Sequence, residues 1–178
     1  KLVRQGLNRH GVNVLGVIPF YPLLSAPSIS QVLEETDFKL LSGRKEMLDK
    51  KITHIIVGAM APHEALNYIK PGSLVVTPGD REDIIMTVLS LDFYKKKDNN
   101  PSISGIILTG GLLPHSTIKD IMDKSDIPFL MAKEDTYSVA SKLHDLTVKI
   151  RDVDKDKIQI VIDMVKEFVD IKQINEAL

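Results

Sequence analysis

The strongest constraint on this chain is a recurring pattern. Short, continuously apolar runs rich in β-branched residues are each followed by a stretch with helical spacing. The clearest runs are Ile52-Thr53-His54-Ile55-Ile56-Val57, Ser73-Leu74-Val75-Val76-Thr77, Ile103 to Leu108, and Pro128-Phe129-Leu130-Met131. None of them alternates apolar with polar residues, so each strand is expected to be buried on both faces. Ala65, Leu66 and Ile69 mark the helix after the first run, and Ile84, Ile85, Val88 and Leu89 mark the next. Further helices are expected near Thr117 to Met122 and around Val139, Leu143 and Leu146. Strands alternating with helices predict an α/β fold, with a mostly parallel sheet and helices on both faces.

The flanks are read in the same way. Asn13 to Ile18 is expected to be another buried strand, ended by Pro19. Ser28 is a plausible N-cap for a short helix holding Ile29, Val32 and Leu33. Phe38 to Leu41 suits an edge strand, and Lys95 to Pro101 suits a solvated loop. Ile158, Val161, Ile162, Val165 and Val169 give a last amphipathic helix.

Composition narrows the function. Lys and Arg number 23 against 24 Asp and Glu, a formal charge of −1. That balance argues against a broad grip on nucleic acid or on an anionic membrane, since both need an excess of basic residues. With no Cys, disulfides, thiol nucleophiles and Cys-type metal sites are excluded, which is compatible with a reducing compartment. A cytoplasmic location is expected. No apolar run approaches the roughly 20 residues of a membrane span.

In a parallel sheet, ligands sit in the crevice beyond the carboxyl ends of the strands. The loops after the runs are therefore the candidate site. They hold Gly58-Ala59-Met60, then Gly79-Asp80-Arg81 with Asp83, then Thr109-Gly110-Gly111, then Asp135-Thr136. Gly110 and Gly111 permit close approach of backbone N–H groups to a ligand ahead of a helix N-terminus. Arg81 offers a planar fork to a carboxylate or phosphate. Asp80, Asp83 and Asp135 suit either holding Arg81 or holding Mg²⁺ through water. The same residues have a structural reading. Asp80 can be an N-cap with Asp83 as its capping-box partner, Asp135 can cap the following helix, and the glycines can make a tight turn. No G-x-x-x-x-G-K-[ST], G-x-S-x-G or H-E-x-x-H motif occurs. No catalytic residue and no metal ligand is assigned, and His54 is expected to be a hydrogen-bonded core residue.

Gly79-Asp80-Arg81-x-Asp83 and Leu108-Thr109-Gly110-Gly111 resemble the letters that name the DRTGG domain family. Gly58-Ala59-Met60 and Asp135-Thr136-Tyr137 resemble the family too, over about residues 30 to 145. Gly11 to Pro19 is similar to the closing strand of dethiobiotin synthetase-like P-loop modules, which commonly precede a DRTGG domain in the N-terminal regions of phosphotransacetylases and in related stand-alone proteins. The resemblance implies a fold similar to the N-terminal domain of HPr kinase/phosphorylase. It divides the chain into residues 1–27 from a P-loop neighbour, the DRTGG domain at 28–150 and a C-terminal helix at 151–178. It implies a non-catalytic regulatory and oligomer-forming role, sensing a small anionic metabolite or nucleotide at the strand-end loops, with self-association as a dimer or higher. ATP and Mg²⁺ enter only through the P-loop module, expected before Lys1. Two other readings stay open: a purely structural assembly domain, or part of an ATP-dependent enzyme whose P-loop half lies outside this chain.

Overall fold

A computed structural model of the chain describes residues 2–97 and 103–176. The first elements are α1 (Leu2–Arg9), α2 (Pro22–Ser25), α3 (Ile29–Glu35), β1 (Lys39–Ser42), β2 (His54–Val57), α4 (Pro62–Tyr68) and β3 (Ser73–Pro78). They are followed by α5 (Glu82–Lys97), β4 (Gly105–Thr109), α6 (Ser116–Lys124), β5 (Phe129–Met131), α7 (Thr136–His144), α8 (Lys155–Phe168) and α9 (Ile171–Glu176). The chain separates into two compact units. One holds residues 25–148, and the other joins the residues up to 24 with those from 149 onward.

The larger unit is built on a five-stranded sheet of order β1-β5-β4-β3-β2. β2, β3, β4 and β5 are mutually parallel, and only the edge strand β1 runs antiparallel, against β5. This is the expected α/β architecture. Successive residues of a strand point to opposite faces, so each interior strand feeds two cores. Val75, Ile106, Leu108 and Phe129 join one core with Ala65 of α4, Ile84, Ile85 and Val88 of α5, and Met122 of α6. Leu74, Val76, Ile107 and Leu130 join the other with Ile29 and Val32 of α3 and Val139 and Leu143 of α7. Helices therefore cover both faces; β4 is buried throughout, and β3 from Ser73 to Thr77. Ser28 caps α3 as expected: its hydroxyl accepts from the Gln31 N–H, and the Gln31 side chain returns to the Ser28 N–H in a full capping box.

Four local expectations need correcting. β2 is not buried on both faces, because it ends the sheet and leaves Ile55 and Val57 exposed. Residues 14–18 make no sheet strand. In the smaller unit Gly16 forms a single antiparallel bridge with Val169, and the Leu15 carbonyl accepts from the Asp170 N–H at 2.8 Å. Val17 and Ile18 stay half exposed, because an apolar run becomes a buried strand only where neighbouring strands exist to receive it. Lys95 to Lys97 belong to α5 rather than to a loop. The rest of that expected loop, 98–101, lies outside the described residues. His54 is exposed on the edge strand β2, its Nδ1 paired with the Thr53 hydroxyl at 2.9 Å, not enclosed in a core.

No helix among the described residues is long and apolar enough to cross a membrane.

Candidate functional site

Because β2 to β5 are parallel, their carboxyl ends, and the loops that leave them, lie along one edge of the sheet. The loops after β3 and β4 are pressed together at Gly79. A Cβ there would sit 1.9 Å from the Leu112 carbonyl oxygen, a collision with backbone that only glycine avoids. The Gly79 N–H also donates to the Thr109 carbonyl at 3.3 Å.

Arg81 ties the next pair of loops. Its Nη1 donates to the Gly58 carbonyl at 3.3 Å and its Nη2 to the Met60 carbonyl at 2.9 Å. Its Nε and Nη2 grip the two oxygens of Asp83 at 2.8 and 2.9 Å. The hydrogen bond to Arg81 holds the Asp83 carboxyl below the usual carboxylate range, and the same bond raises the guanidinium above its own. Arg81 thus fastens the loop after β2 to the start of α5, with most of its N–H groups engaged. Asp83 is its ion-pair partner, and Asp80 is not an N-cap. The first turn of α5 instead hangs on the Arg81 carbonyl, which accepts from Ile84 and Ile85. The Asp80 carboxylate takes no hydrogen bond from the described residues, and its side chain is exposed.

Glycines at the end of β4 turn the chain sharply, with φ of 78° at Gly110 and 66° at Gly111, a region that favours glycine. Their N–H groups do not face an open crevice. Gly110 donates to the Glu134 carbonyl at 2.7 Å and Gly111 to the Ala132 carbonyl at 2.9 Å, stitching this loop to the one after β5. The hydroxyls of Thr109 and Thr136 pair at 2.7 Å across the same seam. Asp135 caps α7: its carboxylate accepts from the Ser138 N–H at 3.0 Å and from the Ser138 hydroxyl at 2.6 Å. Those two bonds hold its carboxyl below the usual range.

Between the loops opens a cleft of about 460 Å³, within the span of roughly 300–1,000 Å³ common to small-molecule sites. Val57, Gly58 and Ala59 form one wall, Pro78, Asp80 and Arg81 another, and Thr136, Tyr137 and Ala140 of α7 the third. Among the described residues, no group of three His, Cys, Asp or Glu side chains could hold a metal ion.

A sequence profile of the DRTGG domain matches residues 31–146, well over half of the chain. The chain belongs to the DRTGG domain family. Its relatives include the phosphate acetyltransferase of Nitratidesulfovibrio vulgaris, 30% identical over 165 residues, which cover 91% of this chain and 23% of that protein. The phosphate acetyltransferase of Synechocystis is 29% identical over 160 residues, covering 88% of the chain and 22% of the relative. This DRTGG protein thus spans less than a quarter of the length of those two relatives. Among solved structures, it is similar to the CBS and DRTGG domains of the regulatory region of Clostridium perfringens pyrophosphatase, complexed with the activator diadenosine tetraphosphate. There the TM-score is 0.55 at 16% identity, over 85% of this chain and 73% of that one.

Of the residues singled out by sequence, Gly58, Asp80, Arg81 and Thr136 line the cleft. Met60, Gly79, Asp83, Thr109, Gly110, Gly111 and Asp135 do not line it, but most of them hold its walls through the bonds just described. Val57, Ala59, Pro78, Tyr137 and Ala140 line it as well and were not singled out as site residues. The signal for the last two was present. Once Asp135 is taken as an N-cap, Tyr137 and Ala140 stand three apart on one face of the helix it starts. Tyr137 is 82% exposed.

Proposed function

We propose that this DRTGG domain is a ligand-sensing regulatory module of a phosphate acetyltransferase-like protein, and that its ligand is a nucleotide bound at the strand-end cleft. The observation that carries the reading is the position and build of that cleft. It lies beyond the carboxyl ends of parallel strands, where α/β sheets bind ligands. Its walls come from the loops after β2 and β3 and from α7, so a ligand there touches elements that a neighbouring domain can feel. The bound activator of the similar pyrophosphatase region is a dinucleotide, and the curated relatives that extend beyond this region are phosphate acetyltransferases, which supports regulation of that class of reaction. The groups lining the cleft favour binding over catalysis, because they include a carboxylate and a guanidinium but no nucleophile paired with a base.

The test is calorimetric titration of the chain with ATP, AMP and diadenosine tetraphosphate, beside acetyl phosphate and pyruvate as non-nucleotide acids. At least one nucleotide is expected to bind. Ala140→Phe, which fills the cleft from α7, is expected to abolish that binding without lowering thermal stability by more than a few degrees. Absence of nucleotide binding, or binding indifferent to Ala140→Phe, would overturn the reading.

A second reading, self-association through the β2 edge, is favoured by one observation. Ile55 and Val57 on that unpaired edge are 39% and 37% exposed, and an open apolar edge is a pairing surface. A light-scattering mass of a dimer or higher, returned to a monomer by Ile55→Lys, supports it. A monomeric mass for the unaltered chain rules it out.

A further inference from the structure

The cleft of this DRTGG domain has an unexpected charge balance. Three devices that attract anions stand at the sheet edge, and each is already engaged by the chain itself. Asp83 neutralises the Arg81 guanidinium in a two-point grip. The Asp135 carboxylate occupies the N-terminus of α7. Main-chain carbonyls take the N–H groups of Gly110 and Gly111. What remains open to a ligand is different. Val57, Ala59, Pro78 and Ala140 give apolar wall, Tyr137 gives an exposed aromatic face, and Asp80 gives a carboxylate with no hydrogen-bond donor among the described residues. Asp80 and Asp83 both act on the single Arg81 charge, so the charge at the cleft sums to one negative, which disfavours a phosphate inside it. It favours a flat ring bearing hydroxyl donors.

The geometry points to the nucleoside end of the ligand, not its phosphates, as the part that enters the cleft, with the base stacked on Tyr137 and the ribose hydroxyls donating to Asp80. An exposed aromatic side chain is a general platform for a base, and a carboxylate accepting from ribose hydroxyls is how acidic residues read a nucleoside. Phosphates then stay in solvent at the mouth, where they add little to affinity. This assignment rests on the nucleotide reading above and sharpens it.

The experiment is calorimetric titration of the full chain with ATP, adenosine, 2′,3′-dideoxyadenosine and pyrophosphate. Adenosine is expected to bind within about tenfold of ATP, and pyrophosphate to displace neither. Tyr137→Ala is expected to weaken adenosine by about tenfold or more, the scale of one lost stacking contact. Asp80→Asn is expected to weaken adenosine about tenfold while leaving the dideoxy analogue unchanged. Both side chains are exposed, so neither change endangers the fold. Displacement by pyrophosphate, tighter ATP binding in Asp80→Asn, or adenosine more than a hundredfold weaker than ATP would overturn the nucleoside assignment and leave nucleotide sensing standing. Failure of both ATP and adenosine to bind would overturn both.

Discussion

Arg81 is where the account is most exposed to measurement, because two of its roles can be separated. Its side chain donates to the Gly58 and Met60 carbonyls and also grips Asp83. Each carbonyl bond contributes about 1 kcal/mol net. The ion pair is partly open, with side-chain exposures of 30% for Arg81 and 45% for Asp83, so screening holds it to about 0.2–1 kcal/mol. Arg81→Ala therefore costs about 2–3 kcal/mol, while Asp83→Asn costs below about 1 kcal/mol. Urea unfolding followed by circular dichroism reads the difference. With an ordinary slope, Arg81→Ala lowers the midpoint by about 1 M and Asp83→Asn by a fraction of that, neither changing the slope. Equal losses in the two variants would refute the reasoning, since Arg81 would then act only as a charge and not as a strap between loops.

Other consequences follow from the same contacts. Gly79→Ala drives a methyl group into the Leu112 carbonyl, so it should destabilise by more than about 1–3 kcal/mol, the usual range for overpacking, and thermal melting will show it. Phe129→Ala removes a fully buried ring of β5 from the core it shares with β3, β4, α4, α5 and α6 and should cost about 3–5 kcal/mol by urea titration. The carboxyls of Asp83, Glu134 and Asp135 are all lowered in the fold, chiefly by hydrogen bonds from Arg81, Lys142 and Ser138 respectively. Their stabilisation is thus complete above the unfolded carboxyl values near 4 and is lost as pH falls below them. The urea midpoint should be flat between about pH 6 and 7 and decline below about pH 4, and a decline beginning near pH 6 would contradict this.

Much of the architecture was legible because it depends on local pattern. The runs at 73–77 and 103–108 carry no polar alternation, and a strand buried on both faces needs a parallel sheet with helices above and below; the run at 52–57 reads the same way, yet it forms the exposed edge strand β2. The loops that form the cleft were legible for the same reason, since the carboxyl ends of parallel strands share an edge. What local pattern could not show was pairing at a distance. Residues 14–18 have the composition of a strand, yet among the described residues they form only the single bridge at Gly16 and Val169. The Gly110-Gly111 pair reads as an open cradle for an anion, until the carbonyls of Ala132 and Glu134 are found facing it. Nor does local pattern show that Tyr137, which follows the Asp135 cap and Thr136, faces the loops after β2 and β3 across the cleft, since that depends on how α7 packs on the sheet.

The most direct test of nucleotide sensing at the strand-end cleft is a backbone-amide NMR titration of the chain with ATP. Saturable shifts are expected, concentrated at Val57 to Ala59, Asp80 to Arg81 and Thr136 to Ala140. Shifts absent from all three stretches, or confined to the smaller unit, would contradict nucleotide sensing at the cleft.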